Sequence, residues 1–450
     1  MSRSSKLKLA GLAGAMVPFV VLAANIVGTS GPDVLEGTPD DDTINGKGGA
    51  DTMMGLAGND TFLVGQPDDE VLEAVGDGTD TISTTISFTL PIHVEYLTLS
   101  GTNPIDGTGN DLDNRLLGND AANILDGLTG SDRMTGRLGN DIYVVDSSGD
   151  LVIEAPGEGT DRVRSSVSHT LRPNVEQLVL TGVAAVSGTG NELPNSIRGN
   201  PANNTLRGMA GKDSLNGTAG NDRLIGGSGN DKLIGGGGLD TFEFDTAPDT
   251  DLNQDRIVDF TPVDDVMRLV GAAFPALTTE GTLPAANFGT GGSANGPDIR
   301  IIYDPATGIV RYDPDGNGPV ASVRFARLLN AAAVTRSDFT VVDPVVVAVD
   351  FDTQIQPIFS GRCIGCHNTT SAPHGLILAE GHSYDLLVNV ASAEVPSLKR
   401  VKPGDPDNSY LVQKVEGTAA VGGRMPLNRD PLTEDQIALI RQWISDGADP

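Results

Sequence analysis

A nine-residue period constrains this chain more than any other feature. From Gly28 the sequence reads GTSGPDVLE GTPDDDTIN GKGGADTMM GLAGNDTFL, with glycine first, aspartate sixth and an apolar residue eighth in each block. The same period returns from Gly199 in five further blocks. Glycine at the first and fourth positions permits a tight, partly left-handed turn, and the eighth side chain points inward from a short strand. The period therefore predicts a mainly β solenoid.

A longer repeat lies over the short one. The segment that begins GNDTFLVG at Gly58 matches the segment that begins GNDIYVVD at Gly139 without a gap, 81 positions later. Since 81 is nine nonapeptides, the copy stays in phase with the short repeat, and we expect a duplication in whole coils. The segments between the two nonapeptide runs alternate apolar and polar residues, as strands do.

The aspartates at the sixth position are the candidate metal ligands. If two nonapeptides form one coil, aspartates of alternate blocks stack on the same edge, as Asp33 with Asp51 and Asp42 with Asp60. A hard cation requires six or more oxygen ligands, which stacked loops supply from carboxylates and backbone carbonyls. The predicted calcium ligands are Asp33, Asp42, Asp51, Asp60, Asp132, Asp141, Asp213, Asp222, Asp231 and Asp240. Mixed pairs such as Asn123 with Asp141 should bind more weakly, and an isolated aspartate would only cap its turn.

These residues resemble the repeat-in-toxin (RTX, haemolysin-type) calcium-binding repeat, G-G-x-G-x-D-x-U-x. The resemblance covers residues 28–244 and implies a parallel β-roll with several bound Ca²⁺ ions. The second block departs from the pattern at Pro39 and Asp40, and the blocks that carry asparagine are candidates for structural coils without metal. Residues 245–343 resemble the C-terminal cap of such rolls, with a hairpin predicted between Ile301–Tyr303 and Ile309–Tyr312.

A second motif lies near the C-terminus. Cys363 and Cys366, the two cysteines of the chain, stand in GRCIGCH, and C-x-x-C-H is the attachment motif of c-type haem with the histidine as first axial ligand. A disulfide or half of a zinc site are the rival interpretations. Met425 is the sole methionine of residues 351–450 and precedes a proline in a glycine-bearing loop, so it is the predicted second axial ligand. His374 and His382 are the alternatives for that position.

Four segments of this region resemble the small cytochromes c, most closely the Planctomycete-type cytochrome c domain. They are IQPIFSGRCIGCH, VKPGDPDNSYLVQKV, GRMP and LTEDQIALIRQWISDGA. The resemblance implies a small all-α domain over residues 351–450. It also implies haem c bound covalently to Cys363 and Cys366, with His367 and Met425 as axial ligands of the iron.

Charge and the N-terminus bear on the location of the protein. The formal net charge of −30 argues against a nucleic-acid partner, because phosphates require Lys and Arg. Residues 1–24 combine a basic start, an apolar run and small residues, and they predict a cleaved signal peptide. Haem is attached to C-x-x-C-H outside the cytoplasm, where calcium is also abundant. We therefore expect an exported protein, in the periplasm, at the cell surface or secreted.

The leading hypothesis is a calcium-stabilised β-roll, joined by a linker at 344–350 to a monohaem domain that exchanges electrons with a redox partner of unknown identity. Two alternatives stay open: a structural or adhesive surface protein with a redox-sensing haem, and a peroxidase-like haem enzyme with an open or labile sixth iron position. The sequence contains no Ser-His-Asp constellation, H-E-x-x-H motif or phosphate-binding loop that we recognise. No catalytic residue is therefore predicted.

Overall fold

The computed structural model describes residues 23–330, 332–342, 349–427 and 431–449. The predicted signal peptide lies outside these residues except for its last two positions, and most of the predicted linker lies outside them as well. The chain divides into two compact units, residues 1–344 and 345–450. Within the described residues, no helix has the length and apolar character needed to cross a lipid bilayer.

The first unit is a parallel β-solenoid. In chain order its strands are β1 (Asn25–Val27), β2 (Val34–Glu36), β3 (Thr43–Asn45), β4 (Thr52–Met54), β5 (Thr61–Val64), β6 (Glu70–Leu72), β7 (Thr81–Thr84), β8 (Phe88–Thr89), β9 (Tyr96–Leu99), β10 (Gly107–Thr108), β11 (Arg115–Leu117), β12 (Ile124–Asp126), β13 (Arg133–Thr135), β14 (Ile142–Val145), β15 (Leu151–Ile153), β16 (Arg162–Ser165), β17 (His169–Thr170), β18 (Gln177–Leu180), β19 (Ser187–Thr189), β20 (Ser196–Arg198), β21 (Thr205–Ala210), β22 (Ser214–Ala219), β23 (Arg223–Ser228), β24 (Lys232–Gly237), β25 (Thr241–Phe244), β26 (Asp255–Ile257), β27 (Val266–Val270), β28 (Gly281–Thr282), β29 (Phe288–Thr290), β30 (Ile301–Asp304), β31 (Ile309–Tyr312), β32 (Val323–Leu328) and β33 (Phe339–Val342). Short 3-10 helices occupy Ala285–Asn287 and Arg336–Asp338.

Successive strands go to opposite sheets, so through most of the roll a strand pairs in parallel with the strand two further along the chain. Two eight-stranded sheets, one fourteen-stranded sheet and one three-stranded sheet result. In the regular runs each residue pairs with the residue two nonapeptides further along, as Ile26 does with Ile44 and Ile44 with Phe62. This step confirms that two nonapeptides make one coil.

The apolar residue at the eighth position forms the core, as the period predicts. Ile44, Met53 and Phe62 have no exposed surface, and Leu215, Leu224 and Leu233 repeat this burial in the second run. Their neighbours on the same short strands stay partly exposed because strand side chains alternate between the two faces. Eighth-position side chains therefore form a continuous column through the core of the regular runs.

The prediction that the duplication contains whole coils is wrong. β5 lies in an eight-stranded sheet, whereas β14, its counterpart in the second copy, lies in the fourteen-stranded sheet. Nine nonapeptides are four and a half coils, so each copied strand moves to the opposite sheet. Between the two nonapeptide runs the pairing step also changes. Thr61 pairs with Thr81, two positions beyond the regular step, and Thr81 pairs with Tyr96, three positions short of it.

Strand pairing is interrupted once in each copy of the long repeat, at equivalent places. β6 pairs with β4 alone, and β8, which lies one coil later, pairs with β10 alone. β15 and β17, their counterparts in the second copy, show the same lack of pairing. Neighbouring coils therefore meet without strand hydrogen bonds at two places, between β6 and β8 and between β15 and β17.

Residues 245–342 extend the roll. β26 pairs with β24 and β32, and β27 pairs with β25 and β33, so both sheets continue into this segment. The predicted hairpin is present as the antiparallel pair β30–β31. Phe274 packs edge-on against Phe325 and Tyr312 and fills the end of the core.

The second unit contains short helices around its own core. A π-helical turn at Phe351–Ile355 leads into α1 (Gln356–Arg362), followed by a 3-10 turn at Pro373–Gly375, α2 (Ser383–Leu387), α3 (Tyr410–Glu416) and α4 (Glu434–Ser445). Thr433 and Gln436 form the predicted capping box of α4. Trp443 is fully buried against Phe351 and Tyr384, so the tryptophan belongs to the helical core.

Candidate metal and cofactor sites

The sixth-position residues of the roll form ladders that run from coil to coil. The backbone N–H of each aspartate donates to Oδ1 of the aspartate one coil later. The four predicted pairs are joined in this way: Asp33 to Asp51 at 2.9 Å, Asp42 to Asp60 at 2.7 Å, Asp213 to Asp231 at 2.8 Å and Asp222 to Asp240 at 2.9 Å. Asp132 and Asp141 occupy the same place, where they accept from Asn114 and Asn123. Stacking of the predicted ligands in alternate blocks is therefore confirmed.

Most of these aspartates keep one carboxylate oxygen without a partner in the chain. The buried Oδ2 atoms with no hydrogen bond are those of Asp51, Asp60, Asp132, Asp141, Asp213, Asp222 and Asp231. Asp33 and Asp42 differ, because their Oδ2 atoms accept from the N–H groups of Thr29 and Thr38, each at 2.5 Å. A buried, unpartnered carboxylate is costly unless a cation or a donor approaches it. The rows of unpaired oxygens are thus suited to metal ions.

The glycines bring backbone oxygens to the same edge. A Cβ on Gly208, at the first position, would lie 2.4 Å from the carbonyl oxygen of Gly226 in the next coil. Gly229, at the fourth position, has φ +145°, a conformation that side chains disfavour. Carbonyl and carboxylate oxygens therefore line one turn edge, as a hard cation requires.

The coils that carry asparagine are satisfied without an ion. Asn123 donates from Nδ2 to the carbonyl of Ile105 at 2.5 Å, and Asn204 donates to that of Val186 at 3.0 Å. Asn114 and Asn195 donate to carbonyls of the preceding coil in the same manner. The side-chain N–H of each asparagine thus donates to a backbone carbonyl. A carboxylate at the same position has no N–H to donate and would need a cation beside it.

Burial raises the pKa values of the ladder carboxyls. It raises the pKa of Asp132, Asp141 and Asp213 to about 7, with backbone hydrogen bonds opposing it and nearby carboxylates adding to it. For Asp222 and Asp240 the same cause raises the pKa to about 6. Burial therefore makes ionisation of these groups less favourable than in water, and a bound cation would compensate this cost.

Sequence reasoning missed the residues that continue the ladders beyond the regular runs. Asp60 donates from its N–H to Oδ1 of Asp80 at 2.8 Å, and Asp141 donates to Asp161 at 2.8 Å. Each acceptor lies two positions beyond two full nonapeptides. A search restricted to the sixth position of every nine-residue block therefore does not find Asp80 or Asp161. The signal available was the GTD sequence that ends at Asp80 and recurs, ending at Asp161, in the second copy.

Comparison with known families identifies these coils. The model of the RTX calcium-binding nonapeptide repeat matches residues 27–62, 108–143, 189–224, 209–242 and 216–250. The chain carries RTX calcium-binding repeats. The matched stretches include all ten aspartates predicted as ligands, and the RTX repeats coincide with the most regular coils of the solenoid.

Two individual proteins are similar to parts of the chain. The endo-1,3-1,4-beta-glycanase ExsH of Rhizobium meliloti (strain 1021) is 42% identical over 66 residues, which are 15% of this chain and 14% of the glycanase. The chain thus spans about one seventh of that relative. The crystal structure of the extracellular lipase LipA from Serratia marcescens aligns with 59% of this chain and 45% of the lipase, at 14% identity and a TM-score of 0.21.

The second unit contains a cavity of about 310 Å³ whose wall includes Cys363, Cys366, His367 and Met425. All four residues that the sequence predicted for haem attachment and ligation therefore face one space. Cys363 ends α1, and the N–H groups of Cys366 and His367 donate to its carbonyl at 3.1 and 3.0 Å. This tight turn brings both sulfurs and the imidazole to the same side.

The imidazole of His367 is held in one tautomer. Its Nδ1 lies 3.0 Å from the carbonyl oxygen of Leu376. Because a carbonyl can only accept, Nδ1 carries a proton, and in the neutral ring Nε2 then keeps its lone pair for a metal. Sequence reasoning could not find this partner, since the loop between residues 367 and 376 has no repeat or helical period.

The rest of the cavity wall is mainly apolar, with a charged rim. Its apolar residues are Leu376, Leu378, Leu387, Leu411, Val415 and Leu427. Lys414 and Glu394 form an ion pair at 3.1 Å, and Tyr410 donates to Glu394 at 2.8 Å. Burial, followed by that hydrogen bond to Glu394, raises the pKa of Tyr410 to about 12.

The rival interpretations of C-x-x-C-H can be compared with the geometry. Cys363 and Cys366 are not joined by a disulfide. Among the described residues, groups of three or more potential ligands occur at Asp141, Glu154 and Asp161 and not around the cysteines. Of the alternative axial ligands, His374 lines the cavity and is 60% exposed, whereas His382 is not part of its wall.

Proposed function

We propose that this chain is an exported, calcium-dependent β-roll that carries a monohaem c-type cytochrome domain for electron transfer. The observation that carries the proposal is the convergence of Cys363, Cys366, His367 and Met425 on one cavity of the second unit. The RTX repeats support the calcium-dependent part independently.

The cavity has the chemistry that haem requires. The walls are apolar, His367 offers an unprotonated Nε2, and Met425 offers a thioether sulfur from a different loop. Each thiol would add its S–H across one vinyl double bond of haem, so that a C–S bond forms and no atom is lost. Bound in this way, haem supplies a one-electron couple. The chain would hold it with two thioethers, orient the imidazole through Leu376 and exclude water with the leucine-rich wall.

In the roll, the ladder aspartates are the proposed calcium ligands. Their buried Oδ2 atoms lack partners, and carbonyl oxygens of the first-position glycines face the same turns. Calcium would neutralise carboxylates that otherwise repel one another, so the roll is expected to loosen when calcium is removed.

The proposed location is outside the cytoplasm. RTX repeats are typical of secreted proteins, and both haem attachment and calcium loading fit that side of the membrane. Periplasmic, surface-attached and secreted forms are all compatible with this proposal.

Covalent haem is tested by staining for haem peroxidase activity after denaturing electrophoresis. The native chain should keep its stain, and the Cys363→Ala, Cys366→Ala double variant should lose it. Retention of stain by the double variant, or loss of stain from the native chain on denaturation, would refute thioether attachment.

Met425 separates the electron carrier from a peroxidase-like enzyme. Met425 lines the cavity together with His367, which favours a six-coordinate iron and hence the carrier. In the native chain the oxidised protein should show a methionine-to-iron absorption band, and Met425→Ala should abolish it. If the band is absent from the native chain and peroxide is turned over rapidly, the enzyme alternative is correct.

A further inference from the structure

Glutamates replace glycine at two first positions of the nonapeptide pattern. Glu73 lies two blocks after Gly55, and Glu154 lies two blocks after Gly136, each where a first-position glycine would stand. Glu73 accepts a hydrogen bond from the N–H of Gly55 at 2.7 Å, so its side chain lies over the turn of the preceding coil. Both glutamates follow strands, β6 and β15, at which the sheets are interrupted.

In the second copy, three carboxylates converge at this position. Oxygen atoms of Asp141, Glu154 and Asp161 lie within 4.8 Å of one another. The three residues are 1%, 8% and 1% exposed, so all are more than nine-tenths buried. One oxygen of each (Oδ2 of both aspartates and Oε2 of the glutamate) has no hydrogen-bond partner.

No positive group of the described chain neutralises this cluster. The ion pairs found in the first unit join Arg207 to Asp245 and join Arg223 and Arg268 to Glu243, and none includes the three carboxylates. The donor that the glutamate does have is the hydroxyl of Tyr143. Three buried carboxylates, each with one unpaired oxygen, thus lie close enough together to hold a hard cation.

The first copy has counterparts of these three residues, but among the described residues only the second copy brings three such oxygens within 4.8 Å of one another. Asp60, Glu73 and Asp80 are the counterparts at the offset of the long repeat, and the two aspartates are each 1% exposed. Oδ2 of Asp60, Oε2 of Glu73 and Oδ2 of Asp80 are again buried and without partners. Because the offset is four and a half coils, β5 and β14, which follow the first aspartate of each cluster, lie in different sheets. The first copy thus has the same residue types and unpartnered oxygens in a more open arrangement, because Glu73 is only partly buried and the three oxygens do not all lie within 4.8 Å of one another.

We propose that these residues form two calcium sites of a type different from the regular RTX loops, a closely packed one in the second copy and a more open one in the first, each built from two ladder aspartates and one glutamate at a glycine position. They are Asp60, Glu73 and Asp80 at the first site and Asp141, Glu154 and Asp161 at the second. The RTX matches end at residues 62 and 143, before the glutamate and the last aspartate of each set. Three carboxylates give each site more charge than a pair of stacked aspartates does.

The position suggests what the ions do. β6 and β8 are stacked without hydrogen bonds, and a cavity of about 400 Å³ opens between them beside Glu73. A coil junction without strand pairing is a place where a solenoid opens locally. An ion that binds Glu73 on one coil and Asp60 and Asp80 on successive coils would link the two sides of that gap.

The decisive measurement is the number of calcium ions bound per chain, determined by equilibrium dialysis on the full-length protein. Glu154→Gln with Asp161→Asn should lose one ion, Glu73→Gln with Asp80→Asn should lose one, and the four substitutions together should lose two. The matched control is Asp120→Asn with Glu192→Gln, which makes the same charge change at exposed residues of asparagine-bearing coils. It should leave the number unchanged.

Tyr143 provides a second readout that does not depend on disabling the site. Terbium in place of calcium should luminesce when excited through tyrosine, because this hydroxyl contacts Glu154. The first copy has Phe62 at the equivalent place, so only the second site should respond. Tyr143→Phe should therefore lose most of the roll's sensitised emission and keep the calcium number.

The outcomes are separable from those of the proposed function, on whose calcium-binding roll this inference rests. If every variant binds as many ions as the native chain, and Tyr143→Phe does not reduce the emission, the clusters hold protons and the inference is wrong. If the native roll binds no calcium at all, the proposed role of the roll fails as well. Neither result depends on haem.

Discussion

Removal of calcium should reverse the pH dependence of the roll's stability. With a chelator present, the buried ladder carboxyls have folded-state pKa values of about 7 at Asp132, Asp141 and Asp213, well above their ordinary value of 3.8. Between these two values the folded state binds more protons than the unfolded state. The free energy of unfolding must then increase as the pH falls through about 7.

The size of this effect follows from the number of groups. Each carboxyl contributes at most about 1.4 kcal/mol per pH unit in this window. Coupling between neighbours and residual solvent reduce the sum, so three such groups should stabilise the calcium-free roll by about 2–4 kcal/mol between about pH 8 and pH 6. For a unit of this size that corresponds to a rise in Tm of roughly 3–6 °C.

The assay is thermal unfolding followed by circular dichroism, with chelator and with saturating calcium, across the same pH range. In calcium the sign should be opposite, because protons compete with the ion for the same oxygens. A calcium-free roll that becomes less stable as the pH falls from 8 to 6 (about the range of the raised pKa values) would refute the assignment of unpaired, buried carboxyls. The same pH dependence of stability with chelator and with calcium would also refute this assignment.

Three further outcomes are expected. Gly217→Ala should destabilise the roll by about 1–3 kcal/mol in urea unfolding, because the new Cβ would lie 2.6 Å from the carbonyl oxygen of Gly235. A loss of stability smaller than the error of the measurement would contradict this close approach. Asn204→Ala should lower the free energy of unfolding by about 1–3 kcal/mol, equally with and without calcium, because the Asn204 amide donates directly to a backbone carbonyl. A loss that depends on calcium would show that an ion binds there. Met425→Ala should keep covalent haem and lower the reduction potential in a redox titration, and an unchanged potential would exclude methionine as the axial ligand.

The periodic part of the fold could be predicted because each residue type in the nonapeptide has one physical task. The burial of Phe62 and the stacking of Asp42 on Asp60 follow from the eighth and sixth positions. The period alone did not show that each copied strand lies in the opposite sheet. That result follows only when the nine nonapeptides of the long repeat are counted as four and a half coils. Asp80 was missed because a two-residue insertion breaks the phase in which the ligands were sought. Glu73 is in phase, but it lies at a first position, where glycine and not a ligand was expected.

In the second unit, residue types indicated the site but not its supports. Cys363, His367 and Met425 were all identified from a motif and from residue scarcity, and all three line the cavity. The carbonyl that orients His367 belongs to Leu376, whose sequence context carries no signal. Backbone partners of this kind depend on loop conformation, which neither periodicity nor composition determines.

The alternation of aspartate and asparagine along the ladders explains how one solenoid can depend on calcium in some coils and not in others. Both residues occupy the same sixth position, but their Oδ1 atoms accept from different groups: that of Asp141 accepts from the N–H of Asn123 in the preceding coil, and that of Asn204 accepts from the N–H of Asn200 in its own turn. They differ in the second atom of the side chain: Nδ2 of Asn204 donates to a carbonyl, whereas Oδ2 of Asp222, one coil later, has no partner. An asparagine coil is therefore complete within the chain, whereas an aspartate coil such as that of Asp222 keeps an oxygen that a cation could bind. We therefore expect the choice between an amide and a carboxylate at this position to decide where along the roll calcium acts.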